Sequence, residues 1–292
     1  MAFNKNLFSF KRNVHETPTQ RVHIYHIAYS EETCQKIMPG SILLDNTHSM
    51  RHDWREYWPI RKFLAENKLS DECYYGFFSP RFTEKTGLTH AAVLSYVQTV
   101  GFGVDVISFS PQPDQSAFFL NVYEQQERVD PGFIECCDAF FHEIGLVFDI
   151  KSTVMDSRQT IFSNYFIAKP KFWRAWLELC EEIFDICEGD FSPLRSLLLQ
   201  NTEYPGGVQR KVFLMERIAS HLLISNKSWK VSAYNPFLLP WSTQHVSKFP
   251  FEAVVCDSLK IAMREQGFSH YLDAFKSLQK LVNSQQVEKD SK

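Results

Sequence analysis

Short apolar segments with strand character alternate with amphipathic helical segments along most of this chain, and few folds accommodate such a pattern. The strand candidates are β-branched or aromatic and are bounded by turn residues. They cover residues 22–28, 41–44, 74–78, 104–109, 147–150, 161–168 and 229–233. Strands that alternate with helices are typical of an α/β layered domain. We therefore predict a mainly parallel central sheet flanked by helices.

The helix candidates have recognisable starts and stops. Asp53 and Glu56 form a D-x-x-E pattern able to cap a helix over 53–67, and Thr89 is placed to cap the next helix. Pro170 begins a long amphipathic helix that Gly189 ends. Further helices are predicted after Asp130-Pro131 and at about 208–225, 252–266 and 270–282.

The same pattern predicts the domain organisation. Residues 1–20 are interpreted as a loose arm, 21–235 as one compact domain, 236–283 as a C-terminal helical appendage and 284–292 as a polar tail. With 44% hydrophobic residues in 292, the chain has enough apolar material for one sizeable core.

Charge and cysteine usage narrow the function classes. A net charge of −3 gives no broad basic field, so nucleic acid is a disfavoured partner. The seven cysteines are odd in number and form no C-x-x-C pair, which favours a reducing, cytoplasmic setting. We find neither a signal peptide nor an apolar stretch of the roughly 20 residues that a transmembrane helix needs. Motifs for a nucleophile elbow, a phosphate loop, a dinucleotide fingerprint and an H-E-x-x-H zinc site are absent from the sequence.

Polar residues at the ends of predicted strands are the most informative candidates. Asp45-Asn46 follows one apolar strand and Arg81 closely follows another. In α/β sheets ligands gather at the carboxyl ends of strands, where a guanidinium can hold phosphate or sugar oxygens. The alternative is structural, with Asp45 capping a turn and Arg81 paired with a carboxylate.

Other candidates lie on loops and on one helix. Asp156 is in a loop, Asn164 is inside a predicted strand, and Asp105 is near the start of another strand. Arg210 and Glu216 belong to the helix over 208–225, where Glu216 borders the apolar stripe. Glu216 is interpreted either as facing a cleft or as a solvated residue paired with a neighbour.

Taken in order, several short segments resemble a group of bacterial polysaccharide-cluster glycosyltransferase-like proteins with a GT-A-type nucleotide-sugar fold. The matching segments are 23–29 with Asp45-Asn46, 53–58, 75–82, 164–173 and 210–222. They span roughly residues 20 to 235, and each is of modest specificity. The chain departs from the family at Ser79-Pro80-Arg81, where relatives carry a more His/Tyr-rich triplet, and it has no plain D-x-D.

The resemblance implies an enzyme of polysaccharide biosynthesis that uses a nucleotide-sugar donor and a glycan or lipid-linked glycan acceptor. It implies Arg81 or Arg210 at the leaving diphosphate and Glu216 as the base for the acceptor hydroxyl. Donor-binding and sugar-stacking roles are expected of a further set of residues. The set is Asp45, Asn46, Asp156 and Asn164 for the donor, and Trp58, Tyr75 and Phe78 for the sugar.

The absence of a D-x-D motif bears on both metal binding and catalysis. Many GT-A enzymes hold Mn²⁺ or Mg²⁺ on D-x-D, and Asp105 and Asp156 are here single-carboxylate substitutes. A second hypothesis is therefore a non-catalytic protein of the same fold that binds a nucleotide or a glycan without turnover.

Overall fold

The computed structural model describes residues 21–290, and of the last six, 285–290, only the backbone. The predicted N-terminal arm, 1–20, lies outside the described residues. The protein is an α/β domain built on one mixed, mostly parallel sheet. Its strands are β1 (Val22–Ala28), β2 (Ile42–Asp45), β3 (Tyr74–Phe78), β4 (Val106–Ser108), β5 (Phe166–Ala168) and β6 (Val231–Ala233).

The strand order is β2-β1-β3-β5-β4-β6. β1 pairs in parallel with β2 and β3, and β4 pairs in parallel with β6. β5 lies in the middle and is antiparallel to both of its neighbours, β3 and β4. All strands except β5 therefore point the same way, and their carboxyl ends share one edge with the start of β5.

Helices cover both faces of the sheet. They are α1 (Glu31–Gln35), α2 (Tyr57–Glu66), α3 (Phe82–Thr86), α4 (His90–Val100), α5 (Pro113–Ala117), α6 (Val122–Glu127), α7 (Phe133–Glu143), α8 (Pro170–Glu188), α9 (Pro193–Leu198), α10 (Arg210–Ser225), α11 (Pro250–Gln266) and α12 (Ser269–Asp290). Within residues 21–290, no helix is both long and apolar enough to cross a membrane.

Two buried clusters follow from the alternation of side chains along the strands. Tyr75 and Phe77 of β3 face a large cluster with α2, α7, α8 and α10. Tyr74 and Phe78 face a smaller cluster with α3 and α4. Because both faces are covered, all five residues of β3 are buried, as expected for a central strand.

The C-terminal helices α11 and α12 pack on each other and on the segment around α5, in a third apolar cluster. Buried polar contacts reinforce this packing. Lys260 Nζ donates to the carbonyl oxygens of Ser116 and Phe119, and Asp257 accepts from the backbone and hydroxyl of Ser157. α12 continues to Asp290, through most of the segment that the sequence predicts to be a tail.

Several local predictions are confirmed. The Thr89 side chain accepts from the Ala92 backbone and caps α4, and α8 begins at Pro170 and ends before Gly189.

Others are wrong. Residues 147–150 form no strand, and Val147 is fully exposed. α2 begins at Tyr57, and Asp53 does not cap it, because its carboxylate accepts from Lys211 Nζ at 2.7 Å. Only the last three residues of 161–168 are a strand, since Ser163 and Asn164 adopt a positive φ that no strand accommodates.

Close approach of β3 and β5 generates a stability prediction. A Cβ atom at Gly76 would lie 2.7 Å from Ile167 Cγ1 on β5, too close for any real contact. We expect Gly76→Ala to lower the free energy of unfolding by about 1–3 kcal/mol through overpacking, measured by urea denaturation. Gly103→Ala is the matched control, because a Cβ atom there meets nothing within 4 Å. Equal stability of the two variants would contradict this account of the sheet centre.

Candidate functional site

The carboxyl edge of the sheet gathers polar side chains from four strands. Tyr29 directly follows β1, Ser79 follows β3 and Ser110 closely follows β4. Because β5 runs in the opposite direction, the residues that precede it, Asn164 and Tyr165, lie at the same edge. This edge is where open α/β sheets bind ligands.

Hydrogen bonds join these strand ends. Ser79 Oγ and the Tyr165 hydroxyl lie 2.7 Å apart. Ser110 Oγ accepts from the Phe162 backbone at 3.1 Å. Lys85, on α3, donates to Ser163 Oγ at 2.9 Å. The turn that enters β5 is thus held by groups from β3, β4 and α3.

Backbone strain is concentrated at this edge. Within residues 21–290 four non-glycine residues have positive φ: Arg55, Gln112, Ser163 and Asn164, at 47°, 57°, 58° and 53°. Such conformations cost of order 1–3 kcal/mol each and cluster at functional sites. Asn164 is also buried, and its side-chain oxygen has no partner within the described chain.

Two carboxylates lie within electrostatic range of each other at this edge. Glu56 directly precedes α2 and is partly buried, and Glu216 lies on α10. Burial raises the pKa of Glu56, and the negative charge of Glu216 raises it further, while Lys85 and Arg55 oppose the effect. Glu216 Oε2 accepts from Arg217 Nη1 at 3.1 Å, and its side chain keeps 25% exposure. The charge of Glu216 therefore acts on Glu56, and Glu216 itself lines a cleft that a ligand could enter.

Two tyrosines complete the cluster. The Tyr29 hydroxyl is buried with no hydrogen-bond partner among the described residues. Burial and then the Glu56 carboxylate raise the pKa of Tyr29. Burial also raises the pKa of Tyr165, with smaller contributions from both Glu56 and Glu216. Tyr165 therefore lies within electrostatic range of both carboxylates.

A glycine-containing loop, residues 201–209, lies beside two of the arginines at this edge. A bridge between Asn201 and Gln209 closes the loop. A Cβ atom built on Gly206 would lie 3.8 Å from Arg55 Nη2. Glu84, with a smaller contribution from Tyr204 of the loop, raises the pKa of Arg81. The loop thus reaches both guanidinium groups and borders a cleft of about 750 Å³ that contains Glu216.

The predicted donor residues do not form one group. Asp45 and Asn46 line a separate cleft of about 440 Å³ beside β2, together with Trp58, which the resemblance assigns to sugar stacking. β1 lies between β2 and β3, so Asp45 and Arg81 do not follow adjacent strands. Arg81 pairs with Glu84 at 2.7 Å, as the structural alternative predicted, and is half exposed beside the loop.

Two of the predicted sugar-stacking rings are core residues. Phe78 has no exposed surface and stacks on Phe82 at 3.9 Å. Tyr75 is buried, stacks on His23 and accepts a hydrogen bond from the Ser70 backbone. Neither presents a ring face to a ligand.

Arg210 has a structural environment. It is buried and binds both oxygens of Asp130 at 2.9 Å, the Pro131 carbonyl and the Gln200 side chain. A guanidinium held in this way is committed to joining α10 to the start of α7. It is not available to a leaving diphosphate.

The two predicted metal ligands each form ion pairs with different basic side chains. Asp105 pairs with Lys171 at 2.8 Å and accepts from the Lys230 backbone. Asp156 is fully buried, and despite that burial its pKa is lowered by Arg158 and Arg264. The two carboxylates do not converge, and across residues 21–290 no three His, Cys, Asp or Glu side chains are grouped to hold a metal.

Sequence reasoning missed most of the cluster. Glu56 was assigned to a helix cap, and Tyr29, Arg55, Lys85 and Tyr165 were not singled out. The strand-end argument that selected Asp45 and Arg81 applies equally to Tyr29, which directly follows β1. The convergence of Glu56 with Glu216 carries no sequence signal, because 160 positions separate them.

The raised pKa of Glu56 predicts a pH-dependent stability effect. A carboxyl whose pKa is higher in the folded state destabilises the fold above that pKa and not below its unfolded value. We expect Glu56→Gln to increase the free energy of unfolding at pH 7–8, by about 1.4 kcal/mol for each tenfold difference in proton affinity between the folded and unfolded carboxyl, with no gain near pH 4.

Urea denaturation at the two pH values measures this effect. Glu66→Gln, at an exposed position at the end of the same helix, is the control and should change stability little at either pH. A Glu56→Gln protein that is less stable than the parent at pH 8 would show that the charged Glu56 carboxylate does not destabilise the fold, and would contradict the prediction.

Comparisons with known proteins add no relative. No protein-family model, curated protein or solved structure gives a significant match to this chain. The GT-A-type fold and the glycosyltransferase family that the motifs resemble therefore stay predictions.

Proposed function

We propose that this protein is a glycosyltransferase that moves a sugar from a nucleotide-diphosphate donor to a glycan hydroxyl. The observation that carries the proposal is the Glu56–Glu216 carboxylate pair at the carboxyl edge of the sheet, beside Arg55, Lys85 and Arg81. Sugar transfer of this kind needs a base for the acceptor hydroxyl and positive charge for the departing diphosphate. This edge offers both.

The base is Glu216. Its negative charge raises the pKa of the neighbouring Glu56. Arg217 holds one oxygen of Glu216, and the other has no hydrogen-bond partner within the described chain. That second oxygen accepts the proton of the attacking hydroxyl. Glu216 also lines the 750 Å³ cleft, where an acceptor has room.

The positive charge comes from Arg55 and Arg81. Arg55 is exposed, projects from a strained turn and makes no side-chain hydrogen bond within the described residues. Arg81, near Tyr204 of the same loop, is paired with Glu84 through Nε and Nη2, which leaves Nη1 outside that ion pair. Unlike Arg210, Arg81 is half exposed. Guanidinium groups bind phosphate oxygens through forked hydrogen bonds. Closure of the loop over them excludes water from the leaving group.

No step of this proposal uses a metal. Asp105 and Asp156, the two carboxylates available as substitutes for D-x-D, are apart and ion-paired, so they do not fit a shared Mn²⁺ or Mg²⁺ site. A cytoplasmic setting belongs to the proposal as well. It is supported by the seven cysteines, all of which are unpaired thiols, six of them buried.

Donor turnover tests the proposal. The protein is incubated with a panel of nucleotide sugars, with and without manganese, and release of the nucleotide is measured. We expect turnover of one donor, and we expect Glu216→Gln to lower it by roughly a hundredfold to ten-thousandfold, because the amide cannot take a proton. Donor binding, measured by thermal shift, should be retained.

The control is Glu182→Gln, at an exposed position on α8 away from the cluster, and it should turn over normally. Donor binding without turnover in the parent would support the non-catalytic binding protein instead. Activity of Glu216→Gln within about threefold of the parent, a difference under 1 kcal/mol, would exclude Glu216 as the base.

A further inference from the structure

Amide side chains form two walls of the 750 Å³ cleft beside Glu216. Gln125 and Gln126 come from α6, Gln112 and Gln115 from the α5 segment, and Gln244 from the segment that precedes α11. The cleft is therefore completed by residues of the region 236–283, which the sequence predicts to be an appendage.

Arg217 orients the first wall. This guanidinium is buried and donates through Nη2 to Gln126 Oε1 at 2.8 Å and to Gln125 Oε1 at 3.3 Å. Because each amide oxygen is held by the guanidinium, each amide NH₂ group is left to donate elsewhere. Within residues 21–290 neither NH₂ group has an acceptor.

Asp114 organises the second wall. It is fully buried and accepts from the Ser242 backbone at 2.9 Å and from Gln115 Nε2 at 2.9 Å. Gln115 Nε2 also reaches Gln244 Oε1 at 3.2 Å. These contacts use the Gln115 NH₂ group and the Gln244 oxygen. They leave the Gln115 oxygen as an acceptor and the Gln244 NH₂ group as a donor.

The cleft is balanced in charge. Its charged residues are Arg128, Arg217, Glu203 and Glu216, two of each sign. A phosphorylated or acidic ligand would gain no surplus of positive charge there. Neutral hydroxyl groups donate and accept in turn, and fixed amide donors and acceptors complement them.

Aromatic rings border the same cleft. Tyr204 is half exposed and meets Phe213 edge to face at 5.6 Å. An aromatic face beside fixed polar groups suits a ligand with apolar C–H faces and polar hydroxyl edges.

We propose that this cleft binds an uncharged saccharide and that, given the glycosyltransferase function proposed above, the saccharide is the acceptor. Its reacting hydroxyl lies at Glu216, and its remaining hydroxyls bind the amides of Gln125, Gln126, Gln115 and Gln244. The region 236–283 thereby helps to set acceptor specificity.

Calorimetric titration of the full chain with hexasaccharides tests the proposal. The neutral probes are hexamers of glucose, galactose, mannose and N-acetylglucosamine, and the charged counterpart is a galacturonate hexamer. We expect at least one neutral hexamer to bind more tightly than the galacturonate hexamer. Gln125→Ala and Gln244→Ala should each weaken that binding threefold or more, and Gln98→Ala, at an exposed position on α4, should not.

Binding of the galacturonate hexamer alone, or of no hexamer at millimolar concentration, would overturn the proposal. So would unchanged affinity in both glutamine variants. The two proposals fail separately. If the parent binds a saccharide, Gln244→Ala loses that binding and no donor is turned over, the cleft proposal holds and the transferase proposal fails, which leaves a saccharide-binding protein. Conversely, turnover with an acceptor KM that neither glutamine variant changes would retain the transferase and refute this cleft as its acceptor site.

Discussion

The reversed direction of the central strand β5 brings the residues that precede it to the carboxyl edge of the sheet, where the candidate site lies. β5 pairs antiparallel with both β3 and β4, so its start rather than its end meets the carboxyl edge of the sheet. The chain enters it through Ser163 and Asn164, both at positive φ, which costs conformational energy. That cost is offset by the packing that follows, in which Ile167 fills the space beside Gly76 and Trp173 donates to the Tyr75 carbonyl at 2.8 Å.

A second constraint is the burial of Arg217 on α10. Burial lowers the pKa of Arg217, and the Glu216 carboxylate acts against that effect. The guanidinium binds Glu216, the Phe213 carbonyl and the amides of Gln125 and Gln126. One buried cation thus positions the proposed base and one wall of the proposed acceptor cleft. An apolar residue here would carry no such desolvation cost but would leave Glu216 and the two amide oxygens without their buried donor.

The sequence was sufficient for features that depend on local chemistry. The α/β class follows from alternating strand and helix patterns, and the limits of α4 and α8 follow from Thr89, Pro170 and Gly189. For Glu216 the sequence left open a cleft position or a pair with a neighbour, and the structure shows both, since Glu216 borders a cleft and pairs with Arg217.

Features that depend on distant partners did not follow from it. The direction of β5 is set by pairing with strands about 60 and 90 residues earlier in the chain, and nothing in residues 161–168 encodes it. Phe78 looks the same in a sequence whether it lines a core or a sugar site. The sequence offers Arg210 as a phosphate-binding candidate because it does not reveal that Asp130, 80 positions away, binds both ends of the guanidinium.

The proposed site requires the charge of Glu216 to act on Glu56, and a side-chain titration of Glu56 measures this effect. Carbon-13 labelling of glutamate allows the Glu56 carboxyl to be followed by NMR across pH 3–9 in the parent and in Glu216→Gln. We expect the pKa of Glu56 to lie above its ordinary value in the parent and to fall when the charge of Glu216 is removed. An identical Glu56 titration in both proteins would contradict it, because the two carboxylates would then not share a site.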